Sequence, residues 1–236
     1  MARIRLLAWT LGGTAAAIAL MRFMGSIVGP AGSTVFSCFF VPLIFIFGGW
    51  VAATALRLEG WATLVGPNTT MKSTVRLVAA AFALALGLKI GPNLIYGLAL
   101  YLLNPEVVHE AAQTTKVALF QWPGMSPALF RSLVGSPISE ELLVRGCLLS
   151  FYQKCEVAPL RVGKVVLDGP NVMSSLAFAL FHLANKGETV LELAAVWVIS
   201  MFLGRAKRET GGLLAPMLCH SVFNFVAHTL FRVAAT

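Results

Sequence analysis

The chain has 236 residues, of which 58% are apolar and only 12% charged. Soluble domains carry about a quarter charged residues, so this composition excludes a water-soluble fold that covers its surface with polar groups. The formal net charge of +8 does not indicate nucleic acid: Lys and Arg fall mostly in short connections between apolar runs, where lipid headgroups account for them, and no RNP, zinc-finger or basic-helix pattern is present.

The apolar runs follow one another closely enough to predict one all-α integral-membrane domain over residues 1–236, a polytopic transmembrane helical bundle. The first candidate span is Leu6 to Met21, after Arg3 and Arg5. The small stretch Ala15 to Ala17 would suit a cleaved signal peptide, but Phe23 and Met24 continue the run past Arg22 and favour a signal anchor. The second span is Val35 to Leu56, with Gly48 and Gly49 as close-packing points. A polar loop from Arg57 to Thr74 turns at Gly66-Pro67-Asn68. Val75 to Leu103 reads as one long helix, kinked where Lys89 and Gly91-Pro92 interrupt it. The more polar stretch from Asn104 to Pro127 is expected at the membrane interface, broken by Pro123-Gly124.

The fourth span is Ala128 to Phe151, with Ser136 as an internal N-cap and Pro137 at the first helical position. Val172 to Ala184, Val190 to Gly204 and Leu213 to Val233 complete about seven spans. Positive-inside counting places Arg57, Lys72, Arg76, Lys154, Arg161, Lys164, Arg205, Lys207 and Arg208 on the cytoplasmic side, hence N-in and C-out. The four cysteines, Cys38, Cys147, Cys155 and Cys219, have no metal or disulfide spacing. Cys147 and Cys219 read as small packing residues.

Ionisable residues inside spans are costly and mark function. They gather in three places: Glu140-Glu141-Leu142-Leu143-Val144-Arg145, Phe178 to His182, and His220 to Asn224. Counting 1.5 Å per residue from the cytoplasmic ends, Glu140, His182 and His220 lie about 21, 18 and 15 Å deep, a level at which three helices can share one cavity. Arg145 stands four residues after Glu141, nearly on its face, so the pair is structural and Glu140 is left for chemistry. His220 and Asn224 share a face and can aim two donors at one oxygen. Phe178, one turn before His182, shields the imidazole. His228 reads as an interfacial or packing residue and His109 as a solvated loop residue. Each motif alone is also explained by helix packing; the ordered set points to a site.

These segments resemble the EExxxR, FxxxH and HxxxN motifs of the CAAX protease and bacteriocin-processing (CPBP, or Abi) membrane proteases. The stretch Glu209 to Pro216 also resembles that family's approach to the last motif. The resemblance runs from Pro137 to the C-terminus, which divides the domain into N-terminal helices of unclear role (residues 1–125) and catalytic core helices (126–236). It implies a glutamic-type, metal-independent endopeptidase with no cofactor, cleaving membrane-associated protein or peptide substrates near their C-termini or within a leader. Glu140 and His182 would activate water, and His220 and Asn224 would stabilise the oxyanion, with Glu141, Arg145 and Phe178 in support. The short chain suggests a prokaryotic plasma-membrane member. Prenylated CAAX proteins, peptide pheromones or bacteriocins, and C-terminal sorting tags all fit as substrates. Two other classes remain open: a zinc protease using the same His and Glu groups, although no HExxH is present, and a non-enzymatic immunity or transport protein using the polar cluster as a proton relay.

Overall fold

The computed structural model describes residues 46–47, 49–50, 53–54, 56–58, 62–106, 117–120, 127–182 and 189–233. The expected span Leu6 to Met21, most of Val35 to Leu56, His109 and Cys38 lie outside the described residues. What is described is mostly helical with a few short strands. Helix α1 is Met71–Leu103, a single helix through Lys89 and Gly91-Pro92. Strand β1 (Val117–Phe120) follows. A continuous helical stretch then comprises α2 (Pro127–Phe130), a wide π-type turn at Arg131–Gly135, α3 (Ser136–Glu141), a second wide turn at Leu142–Leu148, and α4 (Leu149–Lys154). Strands β2 (Leu160–Val162) and β3 (Val165–Leu167) form a hairpin. Helices α5 (Gly169–His182), α6 (Val190–Thr210) and α7 (Leu214–Thr229) complete the bundle, and β4 (Leu230–Val233) pairs antiparallel with β1.

Each helix boundary has a local cause. Asp168 Oδ2 accepts the Asn171 N–H at 3.0 Å, and Pro170 occupies the first turn of α5, where a missing N–H costs nothing. Thr189 and Glu192 form a reciprocal capping box at the start of α6, and Gly211 ends it in the left-handed conformation with φ 74°. The sequence-based reading of Ser136 as an N-cap is corrected here. Gly135 and Ser136 keep right-handed helical dihedrals and no side-chain cap forms, because Pro137 is accommodated by a wide turn rather than by a new helix start.

The core lies where α7 packs on α1 and α6. Leu77, Ala81, Ala85, Leu203, Ala206, Ala215, Cys219, Phe223 and Val226 form its buried cluster. Small residues on α1 and α6 let the axes approach closely, as in membrane bundles. Cys147 is buried beside Ala53 and Leu58. Among the described residues, one helix is long and apolar enough to cross a membrane, over Met71–Gly91. Its outer face leaves Val75 and Phe82 exposed. Helices α5 and α7 have 14 and 16 residues, so they are shorter than the roughly 20 residues that a full span needs.

The predicted Arg57 to Thr74 loop has a specific seat. Thr63 O and Leu64 O accept the Leu213 and Leu214 N–H groups at 3.0 and 2.9 Å, and Thr210 O accepts from Asn68 N at 3.2 Å. The loop thereby satisfies donors that the start of α7 leaves unpaired. The approach is backbone to backbone: a Cβ on Gly212 would overlap Gly66 N and press on Leu64 O. Gly212→Ala is therefore expected to destabilise the fold by about 1–3 kcal/mol, the range for an overpacked site. Thermal melting of the purified variant checks this; an unchanged melting temperature would mean that the loop is not held there.

Candidate active site

The three polar motifs arrive from different elements. Glu140 and Glu141 end α3, and Arg145 lies in the second wide turn. Phe178 and His182 belong to α5, and His220 and Asn224 to α7. Glu141 and Arg145 are fully buried. The i, i+4 spacing brings Arg145 Nη1 to Glu141 Oε1 at 3.1 Å. Arg145 Nη2 continues across to α6, donating to Ser200 O at 2.7 Å and to Ser200 Oγ at 2.6 Å.

His220 joins this network. Its Nδ1 lies 2.8 Å from Glu141 Oε1, the oxygen that already accepts from Arg145. Nδ1 therefore carries a proton and donates it. The opposite nitrogen, Nε2, is 3.7 Å from Glu140 Oε2. The two glutamates thus flank one imidazole, with Glu141 bonded and buried and Glu140 about a quarter exposed at 26% of its side chain. The helical-phase expectation assigned Glu141 to Arg145 alone; the structure adds His220 as its second donor.

His182 is positioned by its own helix. Its Nδ1 lies 3.0 Å from Phe178 O, and a carbonyl can only accept, so Nδ1 again carries the proton and Nε2 is left for other work. Phe178 is the common neighbour of the cluster. Its ring meets His182 edge-on at 4.7 Å and His220 at 5.9 Å, and Arg145 Cζ lies 5.1 Å from its centroid. No hydrogen bond or ion pair joins His182 to Glu140 among the described residues.

Asn224 and His220 bond different groups. Asn224 Nδ2 donates to Ser132 O at 2.7 Å. The reason lies in Pro137. In the wide turn, Ser136 N–H bonds Arg131 O; the next bond of that pattern would run from residue 137 to Ser132 O, and proline has no N–H. Asn224 supplies the missing donor. Its neighbour Ser221 does the same for Leu133 O at 2.7 Å. α7 is thereby keyed to the helix that carries both glutamates. Ser200 and Ser221 were not singled out from the sequence. Ser221 stands directly beside His220, whereas Ser200 is a lone hydroxyl in an apolar run with no local signal.

Residues 122–226 match the family model described as type II CAAX prenyl endopeptidase Rce1-like. This part of the chain is similar to Rce1-like CAAX endopeptidases. The matched residues contain all three motifs, so the resemblance read from EExxxR, FxxxH and HxxxN agrees with the family found. No curated protein and no solved structure matches the chain. The Rce1-like family is a protease family, and it is membrane-embedded.

The buried network makes separable demands on stability and chemistry. Glu141→Ala or Arg145→Ala alone leaves one charge-bearing group buried without its partner, a loss of about 3–5 kcal/mol. The double variant is expected to melt above both singles yet to remain impaired in turnover, because His220 Nδ1 has lost its acceptor. Melting temperature and cleavage rate measured on the same preparations check this; recovery of turnover together with stability would show that Glu141 serves Arg145 only.

Proposed function

We propose that this chain is an intramembrane endopeptidase in which Glu140 and His182 activate the attacking water and His220 and Asn224 stabilise the oxyanion. The observation that carries the reading is the meeting of the EExxxR and HxxxN motifs on one imidazole, with His220 Nδ1 on Glu141 and Nε2 toward the more accessible Glu140. A carboxylate beside an imidazole is a general-base arrangement. Water attacks the scissile carbonyl carbon as Glu140 takes its proton, and the same proton passes to the departing amine when the C–N bond breaks. His182, with Nδ1 committed to Phe178 O, offers Nε2 to orient that water. His220 Nδ1–H is committed to Glu141, so an oxyanion bond from Nε2 requires both ring nitrogens to be protonated. Asn224 has a second amide N–H beyond the one given to Ser132 O, and that proton is available to a substrate oxygen.

The membrane setting is part of the proposal. We read about seven spans with the N-terminus in the cytoplasm. Contacts at one end of the bundle support the grouping of basic residues: Lys154 Nζ donates to Leu56 O at 2.8 Å, Arg76 pairs with Glu209, and Arg208 pairs with Asp168. The substrates are membrane-associated proteins or peptides cut near the C-terminus or within a leader. We favour a prokaryotic plasma membrane as the location. The metal-independent, glutamic mechanism uses only side chains in the cluster, and no cofactor enters it.

Glu140→Gln and His182→Ala are expected to abolish cleavage while leaving membrane insertion and melting temperature near those of the unmodified protein. The readout is the set of C-terminal fragments of membrane proteins in cells carrying each variant, followed by cleavage of an identified substrate in proteoliposomes. Full activity of Glu140→Gln would remove the proposed base. Activity lost on chelation and restored by Zn²⁺ would transfer the mechanism to a metal.

Asn224→Ala separates an oxyanion donor from a helix clamp. Loss of one oxyanion donor lowers kcat by roughly 10²–10³ with KM little changed. Loss of the Ser132 O bond lowers the melting temperature. Both effects are expected here; reduced stability with near-normal single-turnover rates would leave Asn224 as a clamp only.

A further inference from the structure

Between α4 and α5 the chain makes a small hairpin that the catalytic reading does not use. Its register pairs Leu160 with Leu167, Arg161 with Val166 and Val162 with Val165. Gly163, at φ 59°, and Lys164 form the two-residue turn, the geometry that left-handed glycine allows. Alternation puts Leu160, Val162, Val165 and Leu167 on one face and Arg161 with Val166 on the other. Leu160, Val162, Val165 and Val166 are 48%, 58%, 58% and 59% exposed. An isolated two-stranded hairpin is marginal in water, and this one presents aliphatic side chains outward.

The geometry points to a hairpin that lies in the headgroup layer of an anionic bilayer, aliphatic face toward the acyl boundary and Arg161 and Lys164 toward lipid phosphates. This rests on the membrane-embedded reading. Charge favours that occupant: both ionisable residues of the hairpin are basic, and basic groups near an anionic leaflet are attracted to it. Position favours it as well. The hairpin adjoins the end of the bundle where Lys154 reaches Leu56 O and Arg208 reaches Asp168, which is the predicted cytoplasmic surface. A substrate strand added to the hairpin edge is disfavoured by distance, since Glu140 lies about 21 Å along the helical stretch from Lys154 at 1.5 Å per residue.

The test uses the full chain in nanodiscs of phosphatidylcholine alone or with phosphatidylglycerol. Val162→Cys and, separately, Phe82→Cys carry an environment-sensitive fluorophore, with the unmodified chain labelled in parallel as the blank. Lipid-borne nitroxide and aqueous iodide are the quenchers. At Val162→Cys we expect strong quenching by headgroup-level nitroxide in anionic discs and little by iodide. Arg161→Gln with Lys164→Gln is expected to weaken the preference for anionic discs by roughly tenfold or more, the weight of two basic groups at such a surface. Iodide quenching at Val162→Cys without nitroxide quenching overturns the inference, as does protection from both reagents, which would mean protein covers the hairpin. Phe82→Cys on exposed α1 reports the membrane reading separately: nitroxide quenching there and none at Val162→Cys refutes only the hairpin, whereas none at either site refutes the embedding itself.

Discussion

A carboxyl group with no exposure to solvent must find its donors inside the protein, because an unpaired charge or polar group in such surroundings costs several kcal/mol. Glu141 finds two on a single oxygen, Arg145 Nη1 and His220 Nδ1. Those donors come from the same helical stretch and from α7, and Arg145 extends the chain of bonds to Ser200 on α6. One buried oxygen therefore ties three helical elements together. It also orients the His220 ring: with Nδ1 held, Nε2 has no choice but to face Glu140. The chemistry proposed for Glu140 is a consequence of how Glu141 Oε1 is paired, while Glu141 Oε2 is buried without a hydrogen-bond partner among the described residues.

A second constraint acts at Pro137. Proline in a helix interior removes a bond and crowds the preceding turn, a cost of about 3 kcal/mol or more when uncompensated. Here the preceding turn widens and two side chains of α7, Ser221 and Asn224, donate to the carbonyls of Leu133 and Ser132. The helix defect becomes a registration key. Sliding α7 by one turn would separate Asn224 from Ser132 and His220 from Glu141 together, so packing and site geometry are set by the same contacts.

What could be read from the sequence was what helix periodicity controls. Arg145 meets Glu141 because four residues is one turn, and Phe178 meets His182 for the same reason. Ordered motifs also located the domain that matches the Rce1-like model. Long-range choices had no such signal. Nothing local says that Ser200, 55 positions from Arg145, accepts from its Nη2. Ser136-Pro137 carries the local signature of a helix start, yet donors from α7 allow the helix to run through it. The pairing of β1 with β4 joins a stretch read as interfacial to the end of a predicted span. Pairing of that kind depends on which chain ends the bundle brings together, and periodicity is silent on it.

Two adjacent glutamates cannot occupy equivalent surroundings on a helix, since successive side chains point about 100° apart. That offset divides their roles. The one turned inward meets Arg145 and His220 and is fully buried. The other stays at 26% side-chain exposure, within 3.7 Å of the same imidazole but outside its hydrogen bond. A base that must take a proton from water needs access to water, and a carboxyl that must hold an imidazole still needs exclusion from it. In the proposed mechanism the EE pair supplies both from consecutive residues, and the wide turn that begins at Leu142 directly after them carries Arg145, which bonds the buried member.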